Sequence, residues 1–177
     1  LKRIIRYLAG TADRHLRIVP HHKWELLGEG DADWAGDPTE RKSCSGGVVF
    51  LAGAVILTYA RVQHARALSS CESELYSLGS LSVELLYIDG FLREIGFPCS
   101  RVPRAFTDSS SALTSAGRRG PGRMRHVQLR ELAMQDWQRA GRIAYQKIWG
   151  LLNCADFLTK FAKAESHYMC VQKVGLE

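Results

Sequence analysis

The chain has 177 residues, of which 46% are hydrophobic and 24% are charged, a composition typical of one globular domain. No stretch approaches the roughly 18 uninterrupted apolar residues of a membrane helix, and the N-terminus lacks the apolar core of a secretion signal, so we expect no membrane partner. The five cysteines are scattered and never form a Cys-x-x-Cys pair. They argue against a disulfide framework or a zinc cluster and favour a reducing compartment.

The net charge of +6 is concentrated in the second half of the chain. Residues 1–100 hold 11 Lys and Arg against 12 Asp and Glu, a net charge of −1, whereas residues 101–177 hold 13 against 6, a net charge of +7. Five arginines fall within residues 118–130, where glycines and a proline forbid a regular helix at the start. This segment is either a solvated basic loop or a surface that binds a polyanion.

The first part of the chain predicts a helix followed by an antiparallel three-stranded meander. An apolar helical face opens the chain and is formed by Leu1, Ile4, Ile5 and Leu8. After a short link, a strand carries Asp31 and Asp33 and ends before Pro38. Two β-rich runs, 48–51 and 55–59, flank an Ala-Gly-Ala hairpin signal.

The hydrophobic period then changes from that of strands to that of helices. Leu and Ile recur at helical spacing from the Ser69-x-x-Glu72 capping box to a stop at Gly96. The elements that follow alternate between strands and helices. A strand ends at Asp108, and a short helix that ends at Gly117 leads into the arginine-rich segment. A helix over 127–140 with Leu132, Ala133, Trp137 and Ala140 facing inward comes next, followed by a strand in "RIAYQKIW" and a last helix through "CADFLTKFAK" that Asn153 caps. This order predicts an α/β fold with a mixed sheet and helices packed on it.

Four acids occupy comparable places in this order, at strand ends and helix starts, namely Asp31, Glu74, Asp108 and Asp156. In open α/β sheets such positions meet at one crevice, so these carboxylates can converge. Asp156 also has a simpler interpretation, a favourable interaction with the helix dipole. We interpret Asp33 and Asp37 as turn or surface acids, at the polar edge of the strand and its turn, and Glu72 as the partner in the capping box.

Unpaired carboxylates brought together repel one another and raise one another's pKa values, so a cation has to lie between them. Ligand sets made only of oxygen favour a hard divalent ion such as Mg²⁺. Two such ions about 3.5–4 Å apart would support in-line hydrolysis of a phosphodiester.

Six sequence blocks, in this order, resemble the ribonuclease H domain that follows the reverse transcriptase in the pol polyprotein of copia-type LTR retrotransposons. They are "LKRIIRYLAGT", "DADWAGDPTERKSCSGGVVFLAG", "ALSSCESELYSL", "TDSSSAL", "GRMRH" and "NCADFLTK". The resemblance runs from residue 1 to about residue 162. It implies three parts: residues 1–27 as the tail of the upstream reverse transcriptase or connection segment, 28–162 as the ribonuclease H-like domain, and 163–177 as a C-terminal tail.

The resemblance also implies a ribonuclease H-like fold with a five-stranded mixed sheet. Its four metal-binding, catalytic carboxylates map onto Asp31, Glu74, Asp108 and Asp156. The implied activity is cleavage of the RNA strand of RNA–DNA hybrids, with two Mg²⁺ ions that Mn²⁺ can replace. The reverse transcriptase domain of the same polyprotein is an implied partner, and the implied location is the cytoplasm or a virus-like particle, with the nucleus as an alternative.

The basic second half of the chain suits a polyanionic substrate. The candidate nucleic-acid contacts are Ser109, Arg118, Arg119, Arg123, Arg125 and His126. For Ser109, helix capping is an equally good explanation. The chain departs from the usual family pattern around residues 61–73 and at Gln128. The alternative hypothesis is therefore a catalytically inactive nucleic-acid-binding or connection domain that supports a reverse transcriptase.

Overall fold

The computed structural model describes residues 1–19, 23–120, 128–161 and 164–177, with the backbone alone for 128–131. A five-stranded sheet lies at its centre. The strands are β1 (Leu26–Asp33), β2 (Cys44–Leu51), β3 (Ala54–Val62), β4 (Arg104–Thr107) and β5 (Ala144–Lys147). The helices are α1 (Lys2–Gly10), α2 (Ser70–Glu94), α3 (Ser110–Gly117), α4 (Gln128–Arg139), α5 (Asp156–Thr159) and α6 (Ala164–Val174).

The strand order is β3-β2-β1-β4-β5. The first three strands pair antiparallel, and β4 and β5 are parallel to β1. The meander turns at Ala52 and Gly53, whose φ angles of +50° and +84° match the left-handed turn that closes a two-residue hairpin. The predicted mixed sheet of a meander followed by alternating helices and strands is thereby confirmed.

The start of α2 is fixed by the capping residues that the sequence indicated. The Ser69 side chain accepts a hydrogen bond of 3.2 Å from the backbone N–H of Glu72. The Glu72 carboxylate in turn accepts from the backbone N–H of Leu68 at 2.8 Å, one residue before the position of a standard capping box. The helix ends before Gly96, whose φ of +84° is a left-handed conformation.

Alternating residues of the central strands divide the core between the two faces of the sheet. Val49 faces α2 and lies in a cluster with the buried leucines of that helix, Leu75, Leu78, Leu81 and Leu85. Val48 and Phe50 point to the opposite face, where they pack with Cys154 and with Cys170 of α6. Because both faces of β2 are covered, the strand is almost wholly buried.

The last part of the chain differs from the prediction. The helix expected after Asn153 is the four-residue α5, and a separate helix, α6, follows. Asn153 does not cap α5: its amide donates to the backbone oxygen of Gly30 at 3.1 Å, and its side-chain oxygen accepts from Ala155. The Asn153 side chain therefore attaches this loop to β1, and the prediction that it caps the last helix is wrong.

The two ends of the chain lie beside each other. Leu16 forms a β-bridge with Leu176, and Arg17 pairs with Glu177 at 3.1 Å. The apolar face of α1 is exposed, with Leu8 at 60%. The divisions at residues 27 and 162 stay predictions. Among the described helices, none is long and apolar enough to cross a membrane.

Candidate metal centre

Parallel pairing of β1 with β4 brings two of the predicted acids together. Gly30 and Thr107 are the last register partners of this parallel pairing, and Asp31 and Asp108 are the residues that directly follow them. Glu74 reaches the same place from the first turns of α2. One carboxylate oxygen from each of these three residues lies within 4.8 Å of the other two. The structure thus makes a compact acidic cluster of Asp31, Glu74 and Asp108.

A buried hydrogen bond holds α2 against β1 beside this cluster. The Ser77 hydroxyl donates to the backbone oxygen of Asp31 at 2.6 Å. Close packing along β1 is possible because Gly28 has no side chain: a Cβ there would lie 2.8 Å from Cδ1 of Leu81. Since Glu74 precedes Ser77 by three residues, about one helical turn, this contact holds the part of α2 that carries Glu74 beside Asp31.

The electrostatics of the cluster fit a divalent cation. Burial, together with the charges of Asp31 and Asp108, raises the pKa of Glu74 to about 8. The Oε2 atom of Glu74 is buried and has no hydrogen-bond partner among the described residues. Such an oxygen is costly in the folded protein unless a cation or a proton satisfies it. The donor set is made entirely of carboxylates, which suits Mg²⁺ or Mn²⁺.

The fourth predicted acid, Asp156, lies beside the other three. It is the first residue of α5, and burial followed by the charge of Asp31 raises its pKa to about 6. It stands outside the cluster of three and is joined to Asp31 through a lysine. The Lys160 ammonium lies 3.2 Å from Oδ1 of Asp156 and 3.3 Å from Oδ1 of Asp31.

Helix α5 can reach this position because residue 46 of β2 is a glycine. A Cβ on Gly46 would lie 2.8 Å from Cγ2 of Thr159 and 2.9 Å from the backbone oxygen of Ala155. The close approach lets the Thr159 hydroxyl donate a hydrogen bond to Oδ2 of Asp31. Asp31 is therefore fully buried, with one oxygen bonded to Thr159 and the other paired with Lys160.

The sequence analysis missed Thr159 and Lys160, although their spacing was informative. They follow Asp156 by three and four residues, which places them on the same side of a helix. A second buried acid, Glu29, lies on the same face of β1 as Asp31 but is a structural residue. Its carboxylate pairs with Lys173 of α6 and accepts from the backbone N–H of Cys154 at 2.8 Å.

The predicted nucleic-acid contacts are only partly described. Ser109 caps α3, since its hydroxyl accepts from the backbone N–H of Ala112 at 3.2 Å. Arg118 follows the end of α3, and Arg119 beside it is exposed. The remaining predicted contacts, Arg123, Arg125 and His126, lie outside the described residues. Asp37 has the predicted turn role, since its carboxylate accepts from the backbone N–H of Thr39. Asp33 is not in a turn: it is the last residue of β1, and its carboxylate accepts from the backbone N–H of Cys44, its register partner on β2.

The strand order, the helices on both faces and the acids at the strand ends define a ribonuclease H-like fold. The N-terminal ribonuclease H domain of rv2228c from Mycobacterium tuberculosis superposes on 82% of the chain and on 98% of that structure, with a TM-score of 0.56 and 16% identity. Ribonuclease H1 from Halobacterium salinarum NRC-1 covers 76% of the chain and 94% of its own length, with a TM-score of 0.56 and 12% identity. LC11-RNase H1 in complex with an RNA/DNA hybrid gives 0.54 at 13% identity, over 76% and 94% of the two chains.

The sequence relatives include Pol polyproteins of plant transposons. The Pol polyprotein from transposon RE2 of Arabidopsis thaliana is 30% identical over 177 residues, which is 99% of this chain and 12% of that protein. The Pol polyprotein from transposon TNT 1-94 of Nicotiana tabacum is 29% identical over 99% of this chain and 13% of its own length. No protein-family model matches the chain. The chain is homologous over its whole length to copia-type Pol polyproteins, of which it spans about one eighth.

Proposed function

We propose that this domain is a metal-dependent ribonuclease H that hydrolyses the RNA strand of RNA–DNA hybrids during reverse transcription of a retrotransposon. The observation that carries the proposal is the cluster of Asp31, Glu74 and Asp108, whose ligand oxygens lie within 4.8 Å of one another. An arrangement that raises the pKa of Glu74 to about 8 is unfavourable for the protein by itself. It becomes favourable when the acids share a divalent cation.

Each residue of the site has a distinct part in this proposal. The acids Asp31, Glu74, Asp108 and Asp156 would hold two Mg²⁺ ions, or Mn²⁺ in their place. Such ions, when bound, supply Lewis-acid activation of water and of the scissile phosphate. Thr159 orients the Asp31 carboxylate through its hydroxyl, and Ser77 holds the helix that carries Glu74 in register with β1.

The charge of the chain supports a polyanionic substrate. The net charge of +7 over residues 101–177 would attract phosphates, with an affinity that falls as salt rises. A structure with a similar fold, LC11-RNase H1, is a complex with an RNA/DNA hybrid. Recognition of the RNA strand would depend on its 2′-hydroxyl groups and on the minor groove of the hybrid. We also propose that the reverse transcriptase domain of the same polyprotein is a partner of this domain.

Cleavage of a hybrid by the purified chain tests this function. With Mg²⁺ and a 5′-labelled RNA strand annealed to DNA, we expect products with 3′-hydroxyl and 5′-phosphate ends. Asp108→Asn, which removes one member of the cluster, should lower the rate at least about 100-fold. Asp13→Asn, a change to an exposed acid outside the site, is the matched control and should cut like the wild type.

Equal rates of cleavage by the wild type and Asp108→Asn would contradict the proposal that the acidic cluster is the active site. Tight binding of the hybrid without cleavage, at any concentration of Mg²⁺ or Mn²⁺, would instead favour a catalytically inactive binding or connection domain. Double-stranded DNA and double-stranded RNA of the same sequence serve as competing substrates. Cleavage of these duplexes as fast as the hybrid would contradict the proposed substrate.

A further inference from the structure

The Lys160 ammonium is a cation that belongs to the protein and touches two acids of the candidate metal centre. It lies 3.3 Å from Oδ1 of Asp31 and 3.2 Å from Oδ1 of Asp156. The Asp31 side chain is 1% exposed, that of Asp156 is 17% exposed and that of Lys160 is 47% exposed. Pairs of this kind are screened by solvent much less than surface pairs, because both carboxylates lie inside the protein.

The two sides of the acidic cluster therefore differ. On the side of α5, the oxygens of Asp31 are already engaged, one by Thr159 and the other by Lys160. On the side of α2, Oε2 of Glu74 has no hydrogen-bond partner in the part of the chain that the structure describes. The protein supplies a positive charge on the first side, whereas on the second side it leaves a buried carboxyl oxygen without a described partner.

We propose that Lys160 makes the two cation positions of this site unequal. One divalent cation binds to Asp31, Glu74 and Asp108, whereas a second cation, shared by Asp31 and Asp156, has to displace the Lys160 ammonium. The Lys160 side chain is half-exposed, so its ammonium group can move into water while its aliphatic stem stays in place. This inference rests on the proposed function, since it requires that the acids bind divalent cations.

Titration of the chain with MnCl₂ by isothermal calorimetry, without nucleic acid, tests the proposal directly. Three variants complete the experiment: Lys160→Gln removes the charge, Lys160→Arg keeps it, and Lys147→Gln is the matched control. Lys147 donates hydrogen bonds to the backbone oxygen of Asp108 and to the Ser110 hydroxyl, but it pairs with no carboxylate in the described residues.

We expect the wild type to bind one Mn²⁺ tightly and a second weakly. Lys160→Gln should strengthen the second step by about tenfold or more relative to the first, as removal of a partly buried competing charge requires. Lys160→Arg and Lys147→Gln should keep the wild-type ratio of the two steps. In EDTA, Lys160→Gln should also melt at a lower temperature than Lys160→Arg, because Asp31 and Asp156 then lack a counter-ion.

The outcomes separate this inference from the proposed function. If the wild type and Lys160→Gln bind two ions with the same ratio of affinities, or both bind one ion only, Lys160 does not control the second position, while a metal site remains. If neither protein binds Mn²⁺, the inference and the proposed metal-dependent activity fall together. If Lys147→Gln strengthens the second binding step as much as Lys160→Gln does, the role of Lys160 is also contradicted. The effect would then come from the lower net charge of the protein and not from the contact of Lys160 with the two acids.

Discussion

The Ser77 hydroxyl donates a hydrogen bond of 2.6 Å to the backbone oxygen of Asp31, and the two residues are 46 positions apart in the chain. The bond joins the helix that carries Glu74 to the strand that carries Asp31. Both partners are buried, so water cannot replace either of them. The geometry of the acidic cluster therefore depends on a neutral hydroxyl group one helical turn away from it.

We expect Ser77→Ala to destabilise the protein by about 1–2 kcal/mol, because it removes a buried hydrogen bond between two elements. It should also weaken Mn²⁺ binding, since α2 is then free to shift relative to β1. Urea unfolding monitored by circular dichroism measures the first effect. Ser80→Ala is the control: its hydroxyl bonds to the oxygen of Tyr76 within the same helix, and we expect a change below about 0.5 kcal/mol.

The stability of the metal-free protein should fall as the pH rises from about 4.5 to about 8. The pKa of Glu74 is about 8 in the folded protein against an ordinary value of 4.5, so the folded state holds a proton in this range that the unfolded state has lost. Asp156, with a pKa of about 6, adds a smaller fall that begins near pH 3.8. The loss should be on the order of 2 kcal/mol after allowance for solvent screening and should level off above pH 8.

Unfolding in EDTA at pH 5, 7 and 9 measures this dependence. Glu74→Gln should flatten most of the slope between pH 5 and pH 8, because the variant has no carboxyl group to titrate there. Added Mg²⁺ should stabilise the wild type more at pH 9 than at pH 5, where protons compete for the carboxylates. A wild-type stability that rises with pH over this window would show that Glu74 is ionised in the folded protein at neutral pH.

A methyl group at residue 46 should force α5 away from β2. Gly46→Ala places a Cβ 2.8 Å from Thr159 and 2.9 Å from a backbone oxygen that cannot rotate away. We expect a loss of about 1–3 kcal/mol, as for other overpacked sites, and weaker Mn²⁺ binding because Asp156 moves with α5. Gly90→Ala is the opposite control: it lies in α2 with open space around it and should stabilise the protein by about 0.5–1 kcal/mol.

Lys173 of α6 should be important for stability because it neutralises a buried acid. Lys173→Met leaves Glu29 without its ion pair, and the expected loss is about 3–5 kcal/mol. Adding Glu29→Gln to Lys173→Met should recover part of that loss, since no buried charge then remains unpaired. Arg17→Ala breaks an exposed pair with Glu177 and should cost less than about 1 kcal/mol. Thermal unfolding of the wild type and of these variants measures the differences.

One helix shows why sequence pattern alone misplaced part of the core. The helix predicted over 127–140 had Ala140 facing inward, but Ala140 is exposed and lies one residue past the end of α4, whereas Met134 and Gln135 of α4 are buried. The Gln135 amide donates to the backbone oxygens of Ser115 and Gly120 at 2.9 and 3.1 Å. A hydrophobic pattern cannot predict a buried glutamine, because its burial depends on carbonyl groups of distant residues.

The sequence by itself determined the elements whose signals are local. The hairpin at Ala52 and Gly53, the start of α2 at Ser69 and the positions of the acids at strand ends follow from turn chemistry, capping and hydrophobic period. These features involve neighbours within a few residues. From the positions of the acids the sequence predicted that Asp31, Glu74, Asp108 and Asp156 can converge, and the structure places the first three within 4.8 Å of one another.

Only the tertiary structure decided how the charges of the site are balanced. Lys160 and Asp31 are 129 residues apart, and Lys173 and Glu29 are 144 residues apart. No local pattern assigns such partners, because the free energy of a buried charge depends on which group of opposite sign the fold brings next to it. The same fold leaves Oε2 of Glu74 and Oδ1 of Asp156 buried without a hydrogen-bond partner among the described residues, and a lysine lies next to only the second of these oxygens.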